Sequence, residues 1–258
     1  DSLDRLISRS TAFSTTTFSY TTDGQIQTVT DSQGITEYTY DDMNGLIRID
    51  LPNGMYIRYS YDAALRLTSI ETEFGTTLYD YDLMNRLVSV TDKDGEITTY
   101  TYDANGNRSA LTYPNGNKTI YTYDTCNRLT SLVIRDLNGI VIEQYDYTLG
   151  AAGERLSVQE TNRTIHYTYD NLYRLTQETI QDGALNLTFD YTYDAVGNRL
   201  TKTDLTGTAV YTYNALNQLI SENDTVYTYD DNGALIAVTG PDRSAAYTYN
   251  DLGRMSTA

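Results

Sequence analysis

The fold is decided by a stretch that reads Thr98-Thr99-Tyr100-Thr101-Tyr102-Asp103-Ala104-Asn105-Gly106-Asn107-Arg108-Ser109-Ala110-Leu111-Thr112-Tyr113. Its first five residues are β-branched or aromatic, which is typical of a strand. Residues 103–107 favour a turn, because Asn and Gly tolerate positive φ and Asp caps a turn with its side chain. Residues 108–113 then form a returning strand, and Pro114-Asn115-Gly116 makes the next turn. The stretch therefore predicts a β-hairpin.

The Tyr-x-Tyr-Asp motif of this hairpin recurs along the whole chain at intervals of 16 to 24 residues. No window keeps the 3.6-residue spacing of an amphipathic helix. A short internal period indicates a tandem array, so we expect an all-β fold over residues 1–258, as one array of about twelve two-strand units. The motif copies begin at Phe18, Tyr38, Tyr59, Tyr79, Tyr100, Tyr121, Tyr145, Tyr167, Tyr191, Tyr211, Tyr227 and Tyr247.

The two tyrosines of each motif are two residues apart, so both rings point to one face of their strand. The apolar residues of the returning strands are three apart instead, as in Leu67 with Ile70 and Leu87 with Val90. An offset of three places side chains on opposite faces unless a bulge intervenes. The spacing therefore predicts a sheet with two partly apolar faces.

An arginine often follows the motif aspartate by four or five residues, across the predicted turn. We expect these residues to form cross-strand ion pairs that fix the register of the hairpin, because an exposed pair adds well under ~1 kcal/mol to stability. The pairs are Asp62 and Arg66, Asp82 and Arg86, Asp103 and Arg108, Asp124 and Arg128, Asp170 and Arg174, and Asp194 and Arg199.

The composition excludes several classes of protein. The 258 residues include 18 basic and 35 acidic side chains, for a net charge of -17, which opposes binding to nucleic acid or to an anionic membrane surface. No apolar run is long enough to insert into a bilayer. With one cysteine and one histidine, the chain has no intramolecular disulfide and a single candidate for any histidine-based site. The 26 tyrosines and the absence of tryptophan are the most unusual feature.

The search for chemistry favours structural roles throughout. His166 lies in mid-strand with no second histidine or nearby cysteine to share a metal, and Cys126 occupies a turn position filled elsewhere by Met84 or Leu172. The stretch Asp103–Asn107 resembles a calcium loop but lacks the closing bidentate glutamate. We therefore expect no catalytic, cofactor or metal residue, and no enzymatic activity.

Two further features need an interpretation. Asn-x-Thr occurs at Asn117, Asn162, Asn186 and Asn223, which is expected by chance in a chain this rich in Asn and Thr. The repeated tyrosines favour ring pairing across strands. The alternative is that exposed tyrosines stack on sugars, which makes the chain a carbohydrate-binding module.

Units such as Tyr121-Thr122-Tyr123-Asp124-Thr125-Cys126-Asn127-Arg128-Leu129 and Tyr191-Thr192-Tyr193-Asp194-Ala195-Val196-Gly197-Asn198-Arg199-Leu200 resemble the YD repeat, also called the Rhs repeat. The repeat occurs in bacterial Rhs and Tc toxins, wall-associated proteins and teneurins. The resemblance implies a long, curved antiparallel strip of hairpins, an open spiral like a β-solenoid. It also implies a non-enzymatic shell wall that encloses or presents another domain, such as a toxin, in a secreted or cell-surface bacterial protein.

The chain departs from the pattern in places. Thr21 and Thr148 replace the motif aspartate, and Asn214 and Asn250 substitute for it. The three prolines follow Leu51, Tyr113 and Gly240, so the Asp-Pro signature of toxin self-cleavage is missing from these residues.

The sequence begins and ends inside a repeat. Asp1-Ser2-Leu3-Asp4-Arg5-Leu6 matches residues 124–129, which directly follow a Tyr-x-Tyr pair, and residue 258 falls inside the unit opened by Tyr247. We therefore expect a segment of a longer YD-repeat polypeptide, which is its first partner. An open strip leaves strand edges at Asp1–Arg9 and near Tyr247–Ala258. We expect either edge-to-edge self-association, head to tail and increasing with ionic strength, or a chain that loops back to fill these edges.

Overall fold

The computed structural model describes residues 1–11, 14–250 and 253–257. Contacts divide the chain into two units. Unit 1 comprises Asp1–Thr119 with Arg135–Ile140, and unit 2 comprises Ile120–Ile134 with Val141–Ala258. All regular structure in the described residues is β-strand, which confirms the all-β prediction. Accordingly, none of these residues belongs to a helix long and apolar enough to cross a membrane.

The first eleven strands belong to unit 1, and each pairs antiparallel with the next. Their bounds are β1 Ser8–Ser10, β2 Thr15–Tyr20, β3 Ile26–Asp31, β4 Gly34–Tyr40, β5 Leu46–Asp50, β6 Tyr56–Tyr61, β7 Leu67–Thr72, β8 Gly75–Tyr81, β9 Leu87–Thr91, β10 Ile97–Tyr102 and β11 Arg108–Thr112.

In unit 2, each strand from β14 to β24 pairs antiparallel with the next, and β25 pairs with β26. The remaining bounds are β12 Lys118–Tyr123, β13 Leu129–Arg135, β14 Val141–Leu149, β15 Arg155–Glu160, β16 Arg163–Tyr169, β17 Leu175–Asp182, β18 Leu185–Tyr193, β19 Arg199–Asp204, β20 Gly207–Tyr213, β21 Leu219–Glu222, β22 Thr225–Tyr229, β23 Leu235–Thr239, β24 Ser244–Ala246, β25 Thr248–Tyr249 and β26 Met255–Thr257.

The YD turn, which begins at the motif aspartate, is held by that side chain. At Asp82, Oδ1 accepts the backbone N–H groups of Met84 at 2.8 Å and Arg86 at 3.0 Å. The backbone closes the turn from Asp82 N–H to the Arg86 carbonyl at 2.9 Å. The fourth residue, Asn85, has a φ of 64°, which Asn tolerates better than most residues. Asp recurs at this position in most motifs, which is why the same turn recurs.

A β-bulge, and not the three-residue offset alone, decides which face carries the apolar residues of the return strand. Tyr59 lies opposite Ile70, and Tyr61 lies opposite Leu67, with a register shift between Ser60 and Tyr61. The extra residue on β7 returns Leu67 to the same face as Ile70, because opposed residues of an antiparallel pair share a face. Within each unit, the tyrosine face therefore carries the motif rings together with the apolar residues of the return strand.

The opposite face of each unit is mainly polar, with separate exposed apolar side chains such as Leu78 and Val210. Burial is shallow even on the tyrosine face, where most rings are half-buried. In the described residues, the apolar side chains with less than a tenth of their surface exposed are Ala110, Val158, Ile165, Tyr211 and Val238. Each hairpin is therefore stabilised by its neighbours rather than by a deep core.

The structure also corrects the motif assignment at Tyr145. Strand β14 continues past Tyr147, which lies opposite Val158, to Leu149, and the YD turn begins at Gly150. Thr148 is therefore the middle residue of the motif and does not replace its aspartate. Gly150 holds the aspartate position, and Glu154 supplies the carboxylate by accepting the N–H of Ala152 at 3.0 Å.

Leu65 is expected to destabilise its turn. It has a φ of 60° and is 60 % exposed, so it accepts left-handed strain without gaining burial. Asn44, Asn85, Asn127 and Asn217 occupy the same position in other turns. Leu65→Asn should raise the free energy of unfolding by about 1 kcal/mol in chemical denaturation. Leu83→Asn, which changes an exposed turn leucine without positive φ, is the control, and equal effects of the two changes would contradict this explanation.

Candidate functional site

The second tyrosine of the motif links its hairpin to the preceding one. Its hydroxyl donates to the backbone carbonyl at or near the start of the previous return strand, 2.7–3.0 Å away. A buried or half-buried carbonyl next to a bulge needs such a donor. The bonds run from Tyr20 to Leu6, Tyr40 to Ile26, Tyr61 to Leu46, Tyr81 to Leu67, Tyr102 to Leu87, Tyr169 to Arg155, Tyr193 to Leu175, Tyr213 to Arg199, Tyr229 to Leu219 and Tyr249 to Leu235.

The turn arginine completes this link. Arg86 donates through Nε to Asp82 at 2.7 Å, and its guanidinium lies 4.5 Å from the centroid of the Tyr102 ring. The Tyr102 hydroxyl in turn donates to Leu87. Coulombic attraction, a cation–π contact and a hydrogen bond thus join one turn to the next hairpin. The same arrangement recurs at Asp1–Arg5–Tyr20, Asp62–Arg66–Tyr81 and Asp170–Arg174–Tyr193.

The predicted ion pairs form where the spacing is four, at Asp62–Arg66, Asp82–Arg86, Asp124–Arg128 and Asp170–Arg174. The prediction is wrong where the spacing is five. There Asn107 and Asn198 donate their amides to Asp103 and Asp194, because the fourth residue after the aspartate faces the carboxylate. Arg108 and Arg199 lie instead over tyrosine rings, at 5.1 Å from Tyr100 and 4.4 Å from Tyr211.

The turn carboxylates make stability depend on pH. The N–H of Arg86 and its guanidinium hold the pKa of Asp82 below its ordinary value, and the same contacts from Arg174 lower the pKa of Asp170. A carboxyl with a lowered folded pKa stabilises the protein above its unfolded pKa of about 3.9 and loses that contribution as pH falls.

We therefore expect the thermal midpoint in 0.5 M NaCl to stay constant from pH 7 to about pH 5 and to fall below about pH 4. The salt screens the general repulsion of a chain with net charge -17, so that the turn carboxylates dominate the profile. A midpoint that is constant or rises down to pH 3 would show that these carboxylates add nothing to stability.

Among the described residues, neither His166 nor Cys126 contacts a catalytic partner. His166 is exposed on β16 and lies opposite Ser157 on one side and Thr179 on the other. Cys126 is an exposed free thiol at the third position of its turn, where its N–H donates to Asp124 at 2.8 Å. Neither arrangement supplies the adjacent base that a nucleophile needs.

The stretch Asp103–Asn107 is an ordinary YD turn. Oδ1 of Asp103 accepts the N–H groups of Asn105 and Asn107, both at 2.9 Å, and Oδ2 accepts the Asn107 amide at 3.0 Å. The carboxylate is therefore occupied by the turn itself. Over the described ranges, no group of three or more His, Cys, Asp or Glu side chains is arranged to hold a metal ion.

The remaining sequence candidates are spread over the surface. Asn162, Asn186 and Asn223 are exposed, and Asn117 is partly covered. An open cleft of about 510 Å³ in unit 1 is lined by Asp31, Gln33, Thr36, Leu51, Pro52 and Asn53. This lining offers no nucleophile with a partnered base, so its chemistry is that of a polar surface groove.

Sequence reasoning missed three departures from the repeat on the tyrosine face of unit 2. Glu178, Lys202 and Glu222 lie directly opposite Tyr167, Tyr191 and Tyr211. In unit 1 the equivalent residues are aliphatic, for example Ile70 opposite Tyr59. Aligning the repeats with one another in the sequence would have revealed these three positions.

Comparison with known families decides what these hairpins are. The RHS Repeat model matches residues 61–97, 81–118 and 102–136, and the Teneurin YD-shell model matches residues 134–258. The chain is a YD/Rhs-repeat array. The Tyr-x-Tyr-Asp motif is therefore the recurring motif of a YD/Rhs repeat.

Solved structures agree on the fold of the YD/Rhs array. The crystal structure of TcdB2-TccC3-TEV matches 93 % of the chain with a TM-score of 0.67 at 18 % identity. That of TcdB2-TccC3 matches 93 % with a TM-score of 0.56 at 18 % identity. The array spans 17 % and 16 % of the length of those chains. No curated protein sequence matches it.

Proposed function

We propose that residues 1–258 form part of the wall of a YD/Rhs-repeat shell that encloses or presents another domain, such as a toxin. The shell would belong to a longer polypeptide that is secreted by a bacterium or held on its surface. The observation that carries the proposal is the link from each second tyrosine to the preceding hairpin. For example, Tyr81 donates to Leu67 at 2.9 Å and Tyr102 donates to Leu87 at 2.7 Å.

This role is non-enzymatic. The polar groups that recur most often, the turn carboxylates and the tyrosine hydroxyls, are bonded to turns and carbonyls of the same fold. These groups make the same structural bonds in repeat after repeat, so none of them is singled out as a reaction centre. Solved structures with this fold include the TcdB2-TccC3 complexes, in which the matched part is 17 % and 16 % of the chain.

The same contacts favour the wall over a carbohydrate-binding module. A sugar platform requires an exposed aromatic face, but the ring of Tyr102 is half-buried and lies under the guanidinium of Arg86 at 4.5 Å. The rest of the longer polypeptide is then the first partner of the array. Edge-to-edge self-association stays a prediction.

Limited proteolysis of the native polypeptide that contains residues 1–258 tests the proposal. We expect a product much larger than 29.1 kDa, with at least one flanking domain that resists protease until the array is denatured. Destabilising the array through Tyr102→Ala should expose that domain at a lower denaturant concentration. Digestion of every flanking segment at the same rate with the array folded and unfolded would contradict enclosure.

A further inference from the structure

One position of the repeat separates three hairpins of unit 2 from the others. In seven described pairs, the residue opposite the first aromatic of the motif is aliphatic: Val29, Ile49, Ile70, Val90, Leu111, Val158 and Val238. In the three consecutive hairpins between them in unit 2 it is charged: Glu178, Lys202 and Glu222. A structural repeat that breaks its own pattern at neighbouring positions indicates a requirement beyond folding.

Two of these charges have partners on the same sheet. The ammonium of Lys202 lies 3.6 Å from the carboxylate of Asp204. Glu222 accepts a hydrogen bond from the Tyr227 hydroxyl at 2.9 Å and pairs with Arg243 at 2.9 Å. Glu178 has neither a hydrogen bond nor an ion pair within the described part of the chain, although its side chain is only partly exposed.

Aromatic rings surround Glu178 on this face. Tyr167 lies directly opposite it on β16, and Phe189 lies directly opposite it on β18. Tyr191 follows Phe189 by two residues and so shares its face. Phe189 adds a ring that the two adjacent repeats lack, because Ile165 and Ala209 hold the equivalent position there. The charged residue and this additional ring therefore meet at one point.

The Glu178 carboxylate affects the ionisation of the neighbouring tyrosines. Burial, and then the charge of Glu178, raises the pKa of both Tyr167 and Tyr191. An ammonium already lies near this cluster, since Nζ of Lys202 is 5.0 Å from the centroid of Phe189. The Phe189 ring therefore accepts a cation in this fold, while the carboxylate of Glu178 remains without one.

A half-buried carboxylate among aromatic faces is a site for a cation, because ring faces and the carboxylate attract the same charge. We propose that Glu178, Tyr167, Phe189 and Tyr191 bind a lysine or arginine side chain of a partner polypeptide. The face is an open sheet surface, on which a free small cation gains too few contacts to be held. A polypeptide adds contacts along the face, and a net charge of -17 attracts basic partners.

The binding test uses NMR on the whole chain with labelled Tyr and Phe rings. The probe is acetyl-Gly-Gly-Lys-Gly-Gly-amide, and the same peptide with norleucine in place of lysine is the uncharged control. We expect saturable shifts at Tyr167, Phe189 and Tyr191 with the lysine peptide alone. Glu178→Gln should weaken binding at least tenfold, whereas Glu37→Gln, an equal charge change on the opposite face of unit 1, should leave it unchanged.

A second variant separates binding from folding. Glu178→Val restores the residue that Val158 and Val238 provide in other repeats. It should abolish binding and raise the thermal midpoint, since a site kept for a partner lowers stability. Equal binding by wild type, Glu178→Gln and Glu178→Val would overturn the proposal. A lower midpoint for Glu178→Val would also overturn it, because the carboxylate would then be structural.

Discussion

Tyr102→Ala is expected to lower the free energy of unfolding by about 3 kcal/mol, a large change for a half-buried side chain. It removes the ring that lies 4.5 Å from the Arg86 guanidinium and the hydroxyl that donates to Leu87 at 2.7 Å. Tyr102→Phe keeps the ring and leaves the Leu87 carbonyl without its donor, so it should cost about 1 kcal/mol. Chemical denaturation of both variants measures the two contributions.

The same variants distinguish the wall from the carbohydrate-binding module. If the tyrosines stabilise the fold, the wild type should show no saturable binding on a glycan array, and Tyr102→Ala should therefore have no glycan binding to remove. Saturable glycan binding lost in Tyr102→Ala, with the free energy of unfolding unchanged, would contradict the structural role. Equal stability of the Phe and Ala variants would show that the ring contributes nothing.

Gly75→Ala should destabilise unit 1 by about 3 kcal/mol, because two penalties combine. Gly75 has a φ of +139°, which an L side chain rarely adopts. A Cβ added there would lie 2.5 Å from Cβ of Lys93, which belongs to the neighbouring turn at the same edge of the sheet. Cβ is fixed to the backbone, so relieving the clash requires the turn itself to move.

Gly207→Ala is the matched control. Gly207 occupies the same hairpin position, opposite Asp204 as Gly75 is opposite Thr72, with a φ of +134°. No heavy atom lies within 4 Å of a Cβ built on it, so only the backbone penalty of about 1–2 kcal/mol applies. Equal losses of stability at the two glycines, measured by denaturation, would contradict the close packing of neighbouring turns in unit 1.

Much of the fold follows from residue types at short range. Asp, Asn and Gly in one five-residue segment determine the YD turn. The strands predicted on either side of the turn at Asp103 agree with β10 and β11. The ion pair of Asp82 with Arg86 is predictable because both residues belong to that turn. These features depend on local backbone geometry, which the residue types of the turn determine.

Other features depend on partners that the sequence does not mark. The acceptor of the Tyr102 hydroxyl is the backbone carbonyl of Leu87, and a carbonyl has no residue signature. The bulge that returns Leu67 to the face of Ile70 follows from how the turn closes onto its strands. At Tyr147, the shift of the motif depends on Glu154 supplying a carboxylate to the turn at Gly150 from its other end.

The candidate cation site, formed by Glu178, Tyr167, Phe189 and Tyr191, could not be predicted from the sequence for another reason. Aligning the repeats in the sequence shows that Glu178 is a departure, but it contacts the rings on this face only because β17 and β18 pair in this register. Residue types alone describe Glu178 as one of 35 acidic side chains. The pairing of the strands gives that carboxylate its aromatic neighbours.

The most direct test of the wall is an electron cryo-microscopy map of the native polypeptide that contains residues 1–258. The account predicts that these hairpins form part of a continuous sheet with density for another domain enclosed or held against it. A map in which the sheet formed by these hairpins stands alone in solvent, with every other domain of the polypeptide away from it, would contradict the account.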